Sequence, residues 1–443
     1  MNKAYRIVFE CYDKNHPGHV LSKQTVFEDE LNKPMNCLDF TMGFDKQINL
    51  IKIIQDCVLL EKTSLLNKER KSCPECKQRL IKFGSQYSTI HDVLTDHKVQ
   101  IGRLKCKQCG HEEPSTVRSL LNGTISGDLA RIQATLGADY TYREGEKILE
   151  LFSQKERQVN NHDRVKQVVH TIGNVVEHMN KEEQEIITTE KAAELILNVD
   201  GGHIKTVEDK RSMEAMVSVV YRPEALKSNE KGTRNYLTSK NCAASIKDDN
   251  QQQLISSTII AALKQGLSKD THVTALCDGA ENCWNVAEAL APLSREMTYI
   301  LDWFHISMKM DNISLKESLK PKFMRIKWHL WRGNSKAAIT RLSQLVEDKI
   351  DENCRTKINK FATYIENNKN RIINYRERKK AGLVFTSNLA ESTVESLINQ
   401  RCKGKQHMRW SREGLNPLLQ LRAAVHSKEW NDQWRTAVLN SAL

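Results

Sequence analysis

Two aspartates of this 443-residue chain occur in the same sequence context, directly after an apolar run and directly before glycine. Asp200 lies in ELILNVDGG, and Asp278 lies in HVTALCDGA. One interpretation is a polar turn after a buried strand, because Asp and Gly are favoured where a chain reverses. The recurrence favours another, in which carboxylates at strand ends hold two divalent cations about 4 Å apart for phosphoryl transfer. Oxygen ligands of this hardness predict Mg²⁺ or Mn²⁺.

Chemistry of this kind calls for a third carboxylate, and the C-terminal region offers two candidates. The stretch TSNLAESTVESLINQRCK predicts a helix that begins at Ser387 or Asn388 and ends at about Lys403. Glu391 and Glu395 are four residues apart and lie on one face of that helix, so spacing alone does not choose between them. A solvated helix face is the alternative interpretation of each glutamate.

The elements that must position these carboxylates alternate between strands and helices from about residue 190 onward. Apolar runs predict strands that end at Asp200, Asp278 and Asp302, and a further strand in SMEAMVSVVYRP. The stretches ISSTIIAALKQGL and NVAEALAPL predict helices between them. This alternation indicates an α/β sheet, in which functional groups gather at strand ends.

Four of the twelve cysteines form two CxxC pairs, Cys73 with Cys76 and Cys106 with Cys109. Two such turns can close a tetrahedral Zn²⁺ site, as in zinc ribbons. The 29 residues between the pairs exceed the usual spacing of roughly 15 to 20, and a long β-hairpin would accommodate the difference. A redox function needs only one CxxC pair, so the sequence favours structural zinc. The lysines around the pairs are candidate DNA contacts: Lys77, Lys105 and Lys107.

Residues 116–188 are predicted to be mainly helical. The stretch YTYREGEKILELF predicts one helix, and a second begins near Asn161 or Asp163. Because Arg164 and Lys166 stand near the start of the second helix, the pair could form a helix-turn-helix that binds DNA. An ordinary helical hairpin explains the pattern equally well.

The segment that follows residue 305 is also predicted to be helical, and it is basic. Lys322, Arg325 and Lys327 stand close to Trp328 and Trp331. Basic residues with interleaved aromatic ones fit phosphate contacts combined with stacking on exposed bases. The alternative is a solvated helical face with buried tryptophans.

The composition limits the class of protein. A formal net charge of +12 suits a polyanionic partner such as DNA. No window contains the ~18 apolar residues that a membrane helix needs, and the N-terminus lacks an apolar signal segment. The other eight cysteines are scattered, which indicates reduced thiols. We therefore expect a soluble, cytoplasmic protein with no membrane partner.

Four motifs occur in a definite order: NVDGGHIK, LCDGAENCW, ILDWFHISMKM and AESTVESLINQRCKGKQHMRWS. In this order they resemble the DDE transposases of bacterial insertion sequences. The similarity is closest to the group named after the Kra element, within the Mutator-like set, and it covers at least residues 190–430. It implies an RNase H-like catalytic core with an all-helical insertion at about residues 306–385, in a bacterial protein associated with the nucleoid when it acts.

The resemblance also implies roles for single residues. Asp200, Asp278 and Glu391 would be the catalytic D, D and E that hold two Mg²⁺ ions. Glu391 is favoured because the family's glutamate lies ten residues before the arginine of an R-x-K segment, here Arg401. Glu395 is the fallback.

Further residues match the same family. Asp302 and His305 correspond to its D-x-x-H signature, which implies an auxiliary role in placing DNA or in stabilising a flipped base or phosphate, and not metal ligation. Three basic residues are expected along the DNA path: Arg401, Lys403 and Arg409.

Four regions are predicted: residues 1–69, a strand and helix region of unknown role; 70–115, a zinc ribbon; 116–188, a helical DNA-binding region; and 189–443, the catalytic domain. The expected function is a transposase that binds the terminal repeats of its element and cuts and joins double-stranded DNA as a homodimer or larger assembly. Two alternatives stay open: a catalytically inactive DNA-binding protein derived from a transposase, and an RNase H-like nuclease without strand transfer.

Overall fold

A computed structural model divides the chain into two compact units, residues 1–172 with 434–443 and residues 173–433. It describes residues 3–68, 71–114, 117, 120, 123–154, 157–182, 190–208, 212–231, 235–347, 350–387, 393, 395–403, 408–441 and 443. Asn388 and Glu391 lie outside the described residues. The fold is mixed α/β, and the domain boundaries after residues 69, 115 and 188 stay predictions.

The first unit contains a two-stranded antiparallel hairpin, a three-stranded sheet, and a long helix that packs on the three-stranded sheet. The long hairpin predicted between the two CxxC pairs is confirmed, since β3 and β4 pair antiparallel from Leu80↔Cys106 to His91↔Asp96. The elements are β1 (Lys3–Asp13), β2 (His16–Leu31), α1 (Phe44–Asn67), β3 (Leu80–His91), β4 (Asp96–Cys106) and β5 (Glu112–Pro114).

Three helices follow in the chain, α2 (Gly127–Asp139), α3 (Tyr142–Phe152) and α4 (His162–Glu182). Helix α3 begins with a capping box, which satisfies two backbone N–H groups at its first turn. The predicted start of the next helix is confirmed, because Asn161 Oδ1 accepts a hydrogen bond of 2.8 Å from the Arg164 N–H. Two helices joined by a short connection are therefore present, and their function stays a prediction.

The second unit is built around a five-stranded mixed sheet in the order β10-β7-β6-β11-β12. In this sheet β7 pairs antiparallel with both β6 and β10, β11 pairs parallel with β6, and β12 pairs parallel with β11. A separate short hairpin joins β8 to β9. The strands are β6 (Glu194–Lys205), β7 (Ser212–Tyr221), β8 (Leu226–Ser228), β9 (Asn235–Leu237), β10 (Asn241–Ser245), β11 (His272–Cys277) and β12 (Glu296–Leu301).

Strand β6 does not end at Asp200 as predicted. It continues to Lys205 because β7 remains paired with it, from Asp200↔Val217 to Lys205↔Ser212. The parallel neighbour β11 stops earlier, at the pair Val199↔Cys277. Asp200 is thus the first residue of β6 that no longer pairs with β11, although it still pairs with β7. A carboxylate there stands at the sheet edge while its backbone stays fixed by β7.

Helices cover both faces of this sheet, and its strands are apolar because they are buried. The core includes residues exposed by 2% or less: Leu195, Leu197, Val199, Val217, Val219, Val273 and Ala275. Continuous apolar runs of this kind are typical of strands covered on both sides. Helices α5 (Gln252–Lys264) and α6 (Glu281–Glu288) follow β10 and β11 in the chain.

The regular elements described between β12 and residue 385 are helical, as predicted for the insertion. The α-helices are α7 (Trp303–Asp311), α8 (Lys320–Trp331), α9 (Ser335–Val346), α10 (Glu352–Asn367) and α11 (Tyr375–Lys380).

The C-terminal part has a π-helical stretch followed by three α-helices. The predicted helix that ends near Lys403 is present in its described part, as a π-helix (Glu395–Asn399) and α12 (Gln400–Cys402). Helices α13 (Arg412–His426) and α14 (Trp430–Leu439) follow. Within the described ranges, no helix has the length and apolar character that crossing a membrane requires.

Candidate functional site

Three neighbouring strands of the sheet have an aspartate directly after residues that are register partners of one another. Val199 of β6 is the register partner of Cys277 in β11, and Cys277 is the partner of Leu301 in β12. The next residue of each chain segment is Asp200, Asp278 or Asp302, and these three residues form the aspartate row. Residues that occupy equal positions on adjacent parallel strands lie side by side. The strand pairing therefore places the backbones of Asp200, Asp278 and Asp302 next to one another, and it supplies the neighbouring strands that the sequence prediction required.

The first aspartate shares a face of β6 with a lysine from the C-terminal segment. Asp200 is half-buried, and its Oδ1 accepts a hydrogen bond of 2.8 Å from the Gly201 N–H. Gly202 is two residues further along β6, so a side chain at this position would point to the same face as Asp200. A Cβ at Gly202 would lie 3.0 Å from Lys403 Nζ and 3.7 Å from Asn399 Oδ1. The segment after residue 394 therefore packs on the face that carries Asp200.

The second aspartate is held through its backbone by the helical insertion. Asp278 Oδ1 accepts from the Ala280 N–H at 2.9 Å, and the Asp278 carbonyl accepts from Tyr364 Oη of α10 at 2.8 Å. Burial, and after it the charges of Asp278 and Asp302, raise the pKa of the Tyr364 phenol well above its usual range. The phenol thus stays protonated and donates at every physiological pH. Sequence reasoning missed Tyr364, since nothing in its context distinguishes it.

Gly279→Ala tests how closely the insertion approaches this turn. Gly279 has φ +98°, and an added Cβ would lie 2.6 Å from Tyr364 Cε2. Gly382 is the matched control, with φ +71° and nothing within 4 Å of an added Cβ. Strain alone predicts a loss of about 1 to 3 kcal/mol for Gly382→Ala, and strain plus crowding about 2 to 6 kcal/mol for Gly279→Ala. Thermal or urea denaturation measures both, and equal losses would contradict the crowding.

The third aspartate is enclosed by protein donors. Asp302 is 0% exposed. Its Oδ1 accepts from the N–H groups of Phe304 and Ser387, each at 3.0 Å, and its Oδ2 accepts from Ser387 Oγ. His305 is buried as well, with Nε2 3.7 Å from Asp302 Oδ2. The D-x-x-H pair is therefore a packed group next to the aspartate row.

The two candidate glutamates differ in whether the structure describes them. Glu391 lies outside the described residues, whereas Glu395 has an exposed side chain that accepts a hydrogen bond from Asn399 Nδ2. The chain on the C-terminal side of residues 388–392 is tied down. Lys240 Nζ donates to Thr393 Oγ1 at 2.7 Å, and Arg422 Nε donates to the Leu397 carbonyl at 2.7 Å.

Acid is expected to loosen this attachment through His426. Burial, with the charges of Arg422 and Lys240, lowers the pKa of His426 to about 4 from 6.5. A lowered pKa means that the unfolded chain binds the proton more readily, so stability is fully present above pH 6.5 and is lost as the pH falls towards 4. The size is about 3 kcal/mol. Urea denaturation at pH 7 and pH 4.5 measures it.

His426→Gln should reduce the difference in unfolding free energy between those two pH values. His19→Gln, which replaces an exposed histidine, should leave the difference unchanged. An undiminished acid loss in His426→Gln would contradict the assignment.

A further carboxylate that the sequence did not suggest lies on the other face of β6. Glu214 Oε1 would be 2.9 Å from a Cβ at Gly201, and Glu214 Oε2 accepts from Asn282 Nδ2 of α6 at 3.0 Å. Because Gly201 and Asp200 point to opposite faces, Glu214 does not extend the aspartate row. A lone glutamate in a strand carries no pattern that would single it out.

The four paired cysteines form one cluster. The four sulfur atoms lie within 4.8 Å of one another, with 3.5 Å between Cys73 and Cys109 and 3.4 Å between Cys76 and Cys106. The edge of a tetrahedron with Zn–S bonds of 2.3 Å is about 3.8 Å, so the cluster has the dimensions of a metal site. All twelve cysteines, each within the described part of the chain, carry free thiols.

Backbone groups prepare two of these thiols for metal binding. The N–H of Cys109 is the main cause that lowers the pKa of Cys106 to about 6, and the N–H of Cys76 lowers the pKa of Cys73. The turns thus favour the thiolate, the form that binds metals, at Cys73 and Cys106, whereas hydrogen bonds with the other cysteine sulfurs raise the pKa of Cys76 and Cys109. The cluster could bind a metal ion, and its size and chemistry are compatible with structural zinc.

Residues 138–436 match an uncharacterised protein family, UPF0236. The chain belongs to this family. A comparison with curated proteins finds no match. The UPF0236 region includes the aspartate row and residues 388–392, but it begins after the cysteine cluster. The aspartate row therefore lies inside the matched region, and the cysteine cluster lies on its N-terminal side.

The basic residues predicted to contact DNA within the UPF0236 region fall into two classes. Lys166, Lys322, Arg325, Lys403 and Arg409 have exposed side chains. Others are engaged with the protein: Arg164 Nη1 donates to Gln167 Oε1 at 2.8 Å, and Lys327 Nζ lies 3.9 Å from Asp311 Oδ1.

Arg401 corrects the expectation of a DNA contact. Its side chain is only 2% exposed. The guanidinium lies over the Trp410 ring, 5.2 Å from the centroid, and Nη1 is 3.6 Å from Met408 Sδ. Stacking on tryptophan accounts for its burial. In this UPF0236 chain Arg401 supports the segment that carries Lys403 and Arg409.

The two tryptophans of α8 differ in exposure and packing. Trp328 is 54% exposed. Trp331 packs against Trp303 at 4.7 Å and against Tyr375 at 6.0 Å between ring centroids. The interpretation as a buried tryptophan thus holds for Trp331, while stacking of Trp328 on bases stays a prediction. Trp331 belongs to the core of the insertion, and Trp328 stands on its surface beside Arg325.

Proposed function

We propose that this protein is a DNA transposase of a bacterial mobile element. It binds the ends of the element and catalyses metal-dependent strand cleavage and strand transfer by in-line phosphoryl transfer. The observation that carries the proposal is the side-by-side arrangement of Asp200, Asp278 and Asp302 at one edge of the sheet. The resemblance of the four motifs to DDE transposases adds the identity of the reaction.

The sheet supports an RNase H-like core. When only the strands of this sheet are numbered, in chain order, the strand order is 3-2-1-4-5. The first three strands pair antiparallel with one another, and the last two run parallel to the first. RNase H-like cores have a sheet of this kind, with acidic residues at neighbouring strand ends. Fold likeness alone does not assign a function, so the proposal depends on the residues at that edge.

Asp200, Asp278 and Glu391 would hold two Mg²⁺ or Mn²⁺ ions. Carboxylate oxygens suit these cations, and Asp302 differs from the other two because protein donors occupy its oxygens. When bound, the cations supply charge for the attacking and leaving oxygens of an in-line displacement. The chain orients Asp200 through β7 and Asp278 through Tyr364. Water would first attack the phosphorus at the element end and displace its 3′-oxygen. The freed 3′-hydroxyl would then attack a phosphorus of the target DNA and displace a target 3′-oxygen, without a covalent enzyme intermediate.

Exposed basic side chains would bind the DNA backbone. The net charge of +12 favours phosphate contacts, and Lys403 lies on the face of the sheet that carries Asp200. Lys322 and Arg325 beside Trp328 supply a second basic surface, on the insertion. The helices α3 and α4 with Lys166 would recognise the terminal repeats, and a zinc ion held by the cysteine cluster would stabilise the β3-β4-β5 sheet.

The proposal is tested with the DNA that borders the gene. We expect inverted repeats there, and a duplex carrying one of them, labelled at its end, should be nicked in Mg²⁺ and then joined to a target plasmid. Nicking without joining would support a nuclease that lacks strand transfer. Specific binding without nicking would support a DNA-binding protein that has lost its chemistry. Absence of binding and of nicking would contradict the proposal.

A further inference from the structure

Asp302 holds a single residue in two ways. Its Oδ1 accepts from the Ser387 N–H at 3.0 Å, and its Oδ2 accepts from the Ser387 hydroxyl. Ser387 is itself buried, and it stands four residues before Glu391 in the chain. Hydrogen bonds to an ionised acceptor are about twice as strong as neutral ones. A carboxylate that binds both the backbone and the side chain of one residue fixes where that residue lies and how it is turned.

The same carboxylate is also fixed at the sheet. Asp302 follows Leu301, the last residue of β12, and its Oδ1 caps α7 by accepting from the Phe304 N–H at 3.0 Å. Tyr375 Oη donates to the Leu301 carbonyl at 2.7 Å. The position of Asp302 is therefore set by the sheet edge on which Asp200 and Asp278 lie. Because Ser387 is hydrogen-bonded to Asp302, its position is fixed relative to the same edge.

Anchors stand on both sides of residues 388–392. On the N-terminal side is the Asp302–Ser387 contact, and on the C-terminal side Lys240 binds Thr393 at 2.7 Å. Both anchors are made by side chains of the second unit. Each anchor is made by a charged group, so the attachment is directional as well as strong.

We infer that Asp302 is a positioning residue that sets the start of the Glu391 segment relative to Asp200 and Asp278. The inference depends on the proposed function for the role of Glu391. It differs from the role implied by resemblance, because Asp302 acts on the protein's own chain and not on DNA. His305 lies beside this contact: its ring packs edge-on against Phe304 at 5.4 Å between centroids, and its Nε2 is 3.7 Å from Asp302 Oδ2.

Ser387→Ala tests the inference with the smallest change. It removes the hydroxyl donor and leaves the N–H contact and the buried carboxylate. A misplacement of about 1 Å in a catalytic group costs about 10²-fold in rate. We therefore expect the maximal rate of Mg²⁺-dependent end cleavage to fall by roughly 10- to 100-fold, with an unchanged DNA concentration for half-maximal rate. Ser387→Thr retains a hydroxyl and should restore most of the rate.

Ser343→Ala is the matched control. This exposed serine of α9 donates only to the Ile339 carbonyl within its own helix, at 3.2 Å, and its replacement should leave the rate unchanged. A raised half-maximal DNA concentration with an unchanged maximal rate in Ser387→Ala would overturn the inference, because it would make Ser387 a DNA contact. Failure of Ser387→Thr to restore the rate would also overturn it.

Amide hydrogen exchange separates the inference from the proposed function. In the full chain without DNA or added metal, Ser387→Ala should accelerate exchange in residues 395–403, while exchange in β11 stays as in the wild type. If wild-type protein shows this attachment but cuts no DNA, the proposed function fails and the anchor stands. If the wild type cuts DNA and Ser387→Ala neither slows cutting nor accelerates exchange, the anchor fails and the function stands.

Discussion

Asp200→Ala should lower the rate of Mg²⁺-dependent cleavage at the element end by roughly 10³-fold or more, the scale seen when one member of a catalytic unit is removed. The carboxylate is half-buried at the edge of β6. Binding of the DNA end should change little, because phosphate contacts come from other residues. Single-turnover cleavage of a labelled duplex measures the rate, and gel retardation measures binding.

Asp278→Ala should have an effect of the same size, and the double variant should be no worse than either single one. Residues that act as a unit are non-additive in this way. If the two effects multiplied, the aspartates would have separate tasks.

Asp270→Ala is the matched control for both variants. Asp270 precedes β11, at the opposite end of the strand from Asp278, and its side chain is 76% exposed and paired with Lys191 at 3.1 Å. An exposed pair of this kind contributes little, so cleavage should be unchanged. Wild-type cleavage by Asp200→Ala would remove the basis of the two-metal proposal.

Cys73→Ser should release the metal of the cysteine cluster and unfold the sheet around it. Cys73 and Cys106 are buried and share a small core with Leu80. This core is too little apolar surface to hold the CxxC end of the sheet, because the separate core of Ile90, Val99 and Ile101 lies farther along the strands. In zinc-binding peptides the metal contributes about 10 kcal/mol or more at pH 7. We expect one zinc ion per wild-type chain by elemental analysis, less in the variant, and loss of the cooperative thermal transition of the first unit.

Cys37→Ser provides the control, since it removes an exposed thiol outside the cluster. It should retain the metal and the wild-type transition. Chelation of the wild type should reproduce the effect of Cys73→Ser, and cleavage by the second unit should survive where DNA is supplied at high concentration. Unchanged metal content in Cys73→Ser would contradict the structural role.

The local predictions from the sequence were accurate where one stretch of chain decides the outcome. The long hairpin between the CxxC pairs, the helix start at Asn161, and the strands before Asp278 and Asp302 were all confirmed. Hydrophobic periodicity and capping residues act over a few positions, so they can be read without the rest of the fold. The error at β6 had a non-local cause, because pairing with β7 extends the strand beyond Asp200.

Single side chains were harder to assign. Arg401 was expected on the DNA path because of its place in an R-x-K segment, but it stacks on Trp410 inside the protein. Trp328 and Trp331 are close in sequence, and only packing shows that one is exposed and the other is core. Tyr364 was missed, and Ser387 was predicted only as a possible helix start, since the roles of both consist of contacts with residues more than eighty positions away.

The sequence by itself determined the residue types, the order of the motifs, the two CxxC pairs and the alternation of strands and helices. Only the tertiary structure decided which strands are neighbours, and hence that Asp200, Asp278 and Asp302 lie side by side. It also decided that Asp302 turns its carboxylate towards Ser387. The physical reason is that strand order and buried hydrogen bonds depend on long-range pairing, which no local pattern encodes, whereas periodicity and ligand spacing are properties of the chain itself.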